Sequence, residues 1–156
     1  MGVQKYKSET KVVSSDVNTV YGILSNLEFL NFMFNEENVN RIKSEMGDKA
    51  ANFSIDDFSA DRDSCEIVVP KIGTIALLID DREEPKSVRM KSTKGPMDFT
   101  IWIQLIPNGD NKCYMRLTLH AELNMMMKMM VGKKLEEGIN KVADGLSNLP
   151  FNMMPR

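Results

Sequence analysis

The sequence predicts an α+β fold: one curved antiparallel sheet of six to seven strands surrounds a long C-terminal helix, and two short helices follow the first strand. Two patterns support this prediction. Residues 112–123 alternate between apolar and polar side chains, which is the period of a half-buried antiparallel strand. From about Leu123 the apolar residues recur every three or four positions, as in an amphipathic helix. The apolar face of the sheet must be covered, and the final helix is the only predicted element long enough to cover it.

The first third of the chain predicts one strand and two short helices. Residues 4–13 alternate as an edge strand with lysines on its outer side, and Val12 falls on the inner side. Asp16 is predicted to cap the first helix. Residues 26–34 form a short and very apolar second helical segment, and we interpret the polar residues 35–52 as a partly ordered connection.

Five more strands are predicted before the alternating strand 112–123. Short turns rich in Gly, Pro and Asp separate them, and consecutive strands joined by short turns pair in antiparallel order. Their predicted ranges are 53–60, 64–69, 74–82, 87–93 and 98–106. The final helix is expected to run from about Leu123 to Leu149, so residues 1–156 form a single domain.

Composition excludes several classes of function. The net charge of -2 and a pI near 5.5 argue against a general nucleic-acid binder, so no nucleic acid is predicted as a partner. No run approaches the roughly 20 apolar residues of a membrane span, and the N-terminus has no signal-peptide core, so a cytoplasmic protein is expected. Cys65 and Cys113 both lie in strand patterns and are predicted to be reduced, with a disulfide as the alternative.

Four stretches point to a known superfamily: residues 13–21, which enter the first helix, and residues 82–86, 99–105 and 121–124. Through them, and through the order of its elements, nearly the whole chain resembles the START-like, helix-grip superfamily, also called the SRPBCC or polyketide cyclase/lipid-transport family. It is most similar to small single-domain bacterial members. The resemblance implies a deep apolar cavity between the sheet and the C-terminal helix. Relatives use such cavities to bind lipids, sterols, plant hormones or polyketides, and a minority are cyclases.

The leading hypothesis is therefore binding of a hydrophobic or amphipathic small molecule, lipid-like or polyketide-like, in this cavity. The predicted strand walls are Ile67, Val69, Ile75, Leu77, Ile79, Met90, Phe99, Ile101, Ile103, Leu117 and Leu119. The predicted helix wall is Met127, Val131, Leu135, Gly138, Ile139 and Val142, and the predicted mouth is Leu30, Met33 and Phe34. Polar groups at the cavity edge, which are expected to orient the ligand, are Tyr6, Ser8, Thr10 and Tyr21.

Two other functions stay open. An aromatase/cyclase-like enzyme would need titratable groups on the inner face, where the alternation places few, so the prediction favours a protein without catalysis. An interaction or dimerisation module with a filled cavity would use the same aliphatic residues. No catalytic residue, metal ligand or cofactor is predicted, since His120 falls on a charged strand face and the acidic residues 56–66 do not match a calcium loop.

The final helix begins with a methionine cluster: Met125, Met126, Met127, Met129 and Met130. A helix that is apolar all round is buried or meets another apolar surface. The cluster is thus core covered by the two early helices and the sheet edge, a ligand portal, or a contact in a homodimer through residues 125–130. Gly138 and Gly145 fall on the predicted apolar stripe, which indicates a neighbour close to the backbone there.

Overall fold

The computed structural model describes residues 2–33, 57–69 and 73–153. The strands of this part are β1 (Gly2–Lys7), β2 (Lys11–Val13), β3 (Asp57–Ala60), β4 (Ser64–Val69), β5 (Gly73–Glu83), β6 (Ser87–Lys94), β7 (Phe99–Pro107) and β8 (Cys113–Leu123). The helices are α1 (Val17–Leu24), α2 (Phe29–Met33) and α3 (Met125–Ser147), followed by a 3₁₀ turn at Phe151–Met153. The predicted fold class is confirmed. The described residues hold eight strands because the first predicted strand is divided into β1 and β2.

All strands belong to one antiparallel sheet. Their order is β1-β8-β7-β6-β5-β4-β3, and β2 also pairs with β8. The first strand is therefore an edge strand, as its lysines predicted. No helix in the described ranges has the length and apolar character that a membrane crossing requires.

A bulge divides the edge strand. Lys7 pairs with Thr118 and Lys11 pairs with Met115, so four steps along the edge strand match three steps along β8. One extra residue reverses the side-chain alternation. Val12, predicted on the inner face, is consequently exposed, and Val13 is buried in its place.

Both longer helices begin at a polar cap. The Asp16 carboxylate accepts a hydrogen bond from the Thr19 backbone N–H at 3.1 Å, which confirms the predicted cap of α1. The Asn124 side chain accepts from the Met127 N–H at 2.8 Å, so α3 starts at Met125 rather than Leu123. The helix ends at Ser147, two residues before the predicted end.

The buried face of α3 differs from the predicted stripe. Gly132, Ile139, Ala143 and Leu146 are buried, whereas Val142 is 54% exposed. The predicted stripe was right for Ile139 and Leu146, but its centre was displaced round the helix because Gly132 and Ala143 lie in the contact and contribute little to a hydrophobic pattern.

The glycine prediction also needs correction. A Cβ at Gly132 would lie 3.3 Å from the Tyr6 hydroxyl, so this glycine lets α3 approach β1 closely. A Cβ at Gly138 or at Gly145 would have no atom within 4 Å, and Gly145 is exposed. The close approach that was predicted at those two positions occurs at Gly132 instead.

Two ends of the sheet can be distinguished. The closed end is where α1 and α2 pack: the Tyr21 hydroxyl donates to the Ser87 carbonyl at 3.2 Å, and the Arg82 guanidinium donates to the Ser25 carbonyl at 2.9 Å. Phe151, in the 3₁₀ turn, is fully buried and contributes to the same core. The open end is the opposite one, where β7 and β5 begin, β8 ends and α3 starts.

Candidate functional site

The register of the sheet brings the predicted strand residues onto one face. Met90 pairs with Ile101, which pairs with Leu119 on the next strand. Residues opposite each other in an antiparallel pair point to the same side. The pairs Val88–Ile103–Leu117, Ile79–Met90 and Ile67–Ile75 extend this concave face from β8 to β4. Of the predicted strand wall, only the side chain of Val69 lies outside the described residues.

Burial along β4, β5 and β7 changes from one end of this face to the other, whereas the inner side of β8 is buried along its whole length. Towards the closed end Ile103, Leu105, Met115 and Leu117 are buried and form the core. Towards the open end a second group is only half-buried, although its members point to the same side: Ile67, Ile75, Leu77, Phe99 and Ile101. The interior is thus filled at one end, and apolar surface remains uncovered by the described residues at the other.

Helix α3 presents an apolar flank to this surface. Val131, Leu135 and Val142 lie about 50–90° round the helix from the centre of its buried face. The opposite flank is held to the edge of the sheet, because the Asn140 side chain accepts from the Glu9 N–H at 2.8 Å and Asp144 forms an ion pair of 2.6 Å with Lys11. The apolar flank therefore faces across the concave side of the sheet.

The fixed edge contacts explain why part of the predicted helix wall is not buried. Met127, Val131, Leu135 and Gly138 are half-buried, while Ile139 belongs to the buried face. We use the name apolar groove for the surface made up of the half-buried strand residues named above and of Val131, Leu135, Gly138 and Val142 on α3. Four of its members, Leu77, Phe99, Ile101 and Leu135, also pack against the edge of the core.

The predicted mouth is only partly described. Leu30 is half-buried and packs against the core from α2. The side chain of Met33 and the whole of Phe34 lie outside the described residues.

The predicted polar groups have separate roles. The Ser8 hydroxyl accepts from the Leu117 N–H at 2.9 Å and donates to the Glu9 carbonyl, so it is used inside the bulge. Tyr21 belongs to the closed end, and Thr10 is exposed. Tyr6 packs against the core beneath α3, and its hydroxyl lies at Gly132.

The described interior offers no activated nucleophile. Both cysteines are free and buried. Burial raises the pKa of the Cys113 thiol to about 11, with a smaller contribution from Asp16, and burial also raises the pKa of Cys65. A thiol of raised pKa is protonated at neutral pH and reacts poorly as a nucleophile. Among the described residues, no group of three or more His, Cys, Asp or Glu side chains could hold a metal ion.

The predicted acidic hairpin is structural. Asp61 accepts hydrogen bonds from the N–H groups of Asp63 and Ser64 at 2.9 and 2.8 Å, which lower its pKa. A depression of about 380 Å³ beside this hairpin is lined by Ser59, Ala60, Asp61, Ser64, Cys65, Glu66, Ala76, Leu77 and Thr93. It lies at the β3–β5 side of the sheet and shares Leu77 with the groove.

The methionines at the start of α3 form an exposed patch. Met125, Met126, Met129 and Met130 are 68% to 83% exposed, and we refer to these four as the methionine patch. The interpretation that the early helices cover them is therefore wrong, because α1 and α2 pack at the closed end and the patch is at the open end.

The comparisons with known proteins agree on the fold. No protein-family model and no curated protein matches the sequence. Norcoclaurine synthase from Thalictrum flavum matches with a TM-score of 0.66 at 8% identity, over 99% of this chain and 96% of that one. A START superfamily protein from Mycobacterium smegmatis matches with a TM-score of 0.54 at 13% identity, over 90% of this chain and 98% of that one. A protein from Thermus thermophilus matches with a TM-score of 0.58 at 13% identity, over 92% of this chain and 94% of that one.

Proposed function

We propose that this START-like, helix-grip chain binds a hydrophobic or amphipathic small molecule, lipid-like or polyketide-like, in the apolar groove between sheet and α3. The observation that carries the proposal is the burial gradient along β4, β5 and β7: their inward apolar side chains are packed towards the closed end and half-covered towards the open end, whereas β8 is buried along its whole inner side. A ligand would bury the apolar surface that α3 leaves exposed.

Simple energetics support an apolar ligand. Fully burying a Leu, Ile or Phe side chain is worth about 1.5–3 kcal/mol, so covering the remaining half of one is worth about 1 kcal/mol. Five strand residues would then contribute about 5 kcal/mol, and the ligand's own apolar surface contributes again. Association costs at least about 4 kcal/mol, so the groove favours a ligand with substantial apolar area.

The methionine patch supports the position of the entrance. It stands at the same end as the half-covered strand residues, and methionine adapts to surfaces of different shape. In this proposal the patch borders the portal. The alternative is that a second copy of the chain covers the patch, and the two are separated by an experiment described below.

The proposal can be tested with 1-anilinonaphthalene-8-sulfonate as the probe and palmitate as its competitor. We expect the folded protein to enhance probe fluorescence and palmitate to reverse the enhancement. Gly138→Leu should reduce probe uptake strongly, because Gly138 is half-buried on the groove flank and has free space beside it. Gly145→Leu is the matched control, since Gly145 is exposed.

Native mass spectrometry of protein purified from cells supplies a second measurement. A retained apolar molecule in the wild type and its loss in Gly138→Leu would support the groove. No probe enhancement together with a ligand-free mass would overturn the proposal in favour of a filled interior. Equal uptake by both leucine variants would show that the groove does not lie along this flank.

A further inference from the structure

The outer face of the sheet carries an ordered arrangement of cations around an aromatic pair. Two rows of side chains cross β1, β8, β7 and β6. The first row is Lys5, His120, Thr100 and Lys91, and the second row is Lys7, Thr118, Trp102 and Arg89. In each row the cations lie at the two ends, and an aromatic residue lies between them. We call these eight residues the outer cationic face.

The aromatic pair occupies the centre of this face. The rings of Trp102 and His120 meet edge to face, with centroids 4.6 Å apart and planes at 61°. Both side chains are half-buried. They are the only tryptophan and the only histidine in the chain. The indole therefore offers an aromatic surface to solvent on the outer side of the sheet, where Val12, Ile106 and Tyr114 are also exposed.

The surroundings are electropositive. Partial burial, then the charges of Lys5 and Lys7, lower the pKa of His120, so the imidazole is neutral at pH 7. Arg89 is paired with Asp80 at 2.9 Å, and Asp81 and Glu122 flank the face at its borders. Lys5, Lys7 and Lys91 form no ion pair with another described residue.

Hydrogen bonds fix the polar side chains next to Trp102. The Gln104 side-chain oxygen accepts from the Thr118 hydroxyl at 3.1 Å and from the Arg116 guanidinium at 3.2 Å. These two bonds leave the amide N–H donors of Gln104 for another partner. Within the described residues, the face thus combines a planar aromatic surface, neutral donors and three ammonium groups outside any ion pair.

We propose that the outer cationic face binds single-stranded nucleic acid, with a base stacked on Trp102 and the phosphates held by Lys5, Lys7 and Lys91. Stacking on aromatic side chains of a sheet, with cations following the backbone, is how proteins hold unpaired bases. The three strand spacings between β1 and β6 separate the two cationic borders by about 14 Å. An extended strand can therefore contact both borders while a base reaches the centre.

The net charge of -2 does not oppose this inference, because it averages the whole chain. It argues against a protein that binds nucleic acid over its entire surface, but the proposed site is confined to one face of the sheet. It is also independent of the groove, which lies on the other side of the sheet.

The test uses the intrinsic fluorescence of Trp102, which is free of other tryptophan signals. We expect single-stranded oligo(U) of about ten nucleotides to quench it in a saturable manner. If three lysines neutralise phosphates, raising salt from about 50 to about 200 mM should weaken binding about 20-fold, from a slope of about -0.7 per phosphate contact. Lys5→Gln with Lys7→Gln should reduce that salt effect to about threefold.

Lys133→Gln with Lys134→Gln on α3 is the matched control, because it removes the same charge from exposed positions of the helix. It should leave binding and its salt dependence unchanged. Anisotropy of fluorescein-labelled oligo(U) gives a second readout that does not depend on quenching.

Three results would overturn the proposal: no binding of oligo(U) in either assay, an equal effect of the two lysine pairs, or uridine monophosphate binding as tightly as the oligonucleotide. The last would assign the face to a free nucleotide. Loss of probe uptake in the groove experiment would leave this test unaffected.

Discussion

Alanine substitutions at three glycines of α3 test the packing of this helix against the sheet. Replacing a helical glycine by alanine gains roughly 0.5–1 kcal/mol when the methyl group has room. At Gly138 and Gly145 the new Cβ meets nothing within 4 Å, so the full gain is expected at each. The two positions are about 10 Å apart along the helix, so their effects should add to about 1–2 kcal/mol.

At Gly132 the same gain is opposed by a contact. The new Cβ would lie 3.3 Å from the Tyr6 hydroxyl, and the two groups would have to move apart by a few tenths of an ångström. We expect Gly132→Ala to be neutral or destabilising. Combining it with Tyr6→Phe removes the opposing oxygen and should recover roughly 0.5–1 kcal/mol relative to Tyr6→Phe alone.

Urea denaturation followed by circular dichroism measures all of these variants, and thermal unfolding provides a check. For a chain of this size the Gly138→Ala/Gly145→Ala double variant should raise Tm by about 2–8 °C. The reasoning would be refuted if Gly132→Ala stabilised the protein as much as Gly145→Ala, or if Tyr6→Phe had no effect on the cost of Gly132→Ala. Either outcome would mean that α3 does not approach β1 at this point.

The remaining predictions concern the methionine patch and the cysteines. Met126→Lys with Met129→Lys changes two side chains that are 70% and 83% exposed, so the free energy of unfolding should change by less than about 1 kcal/mol. If light scattering shows that a wild-type dimer becomes a monomer, the patch is a contact between two copies of the chain. If the oligomeric state is unchanged and the rate of palmitate exchange is altered, the patch borders a portal. An unfolded variant contradicts both interpretations. The Cys113 thiol has a folded pKa of about 11 against an ordinary value of 9.0, so its contribution to stability is fully present below pH 9 and is lost as pH rises towards 11. Cys113→Ala should flatten the stability profile between those two values, and an unchanged profile would contradict the assigned burial.

The sequence predicts the fold well where one pattern persists along a whole element. The alternation of β8 is unbroken for eleven residues, and its inner side is buried along its length. The predicted inner-face residues of β4 to β7 share one side for the same reason. The relation between sheet and helix followed from the need to cover the apolar face of the sheet with the only element long enough, and the family resemblance agreed with it.

The errors have two physical causes. A single extra residue in the edge strand reversed the side of Val12, and no local signal distinguishes a bulged strand from a regular one. The centre of the α3 contact is formed by Gly132 and Ala143, whose small side chains permit close packing but contribute little to a hydrophobic pattern. Larger apolar residues beside them, such as Val142, dominate the hydrophobic pattern, so the stripe was predicted on a neighbouring side of the helix.

The candidate site was predictable only as a surface. Alternation identified which strand residues face the interior, but whether a side chain is packed or half-covered depends on where α1, α2 and Phe151 end. The boundary between packed and half-covered side chains is set by the three-dimensional arrangement of several elements, so no single stretch of sequence encodes it.

The unequal anchoring of α3 has a consequence for its motion. Its C-terminal half is held by Ile139, Ala143 and Leu146 and by two polar contacts to the edge segment, whereas Gly132 is the one fully buried position described in its first ten residues. Regions with few buried contacts open locally at a lower free energy than the whole molecule. Amide hydrogens in the first turns should therefore exchange with deuterium well before those near Ala143. Local opening of these first turns would expose the α3 side of the groove while Ile139, Ala143 and Leu146 stay packed.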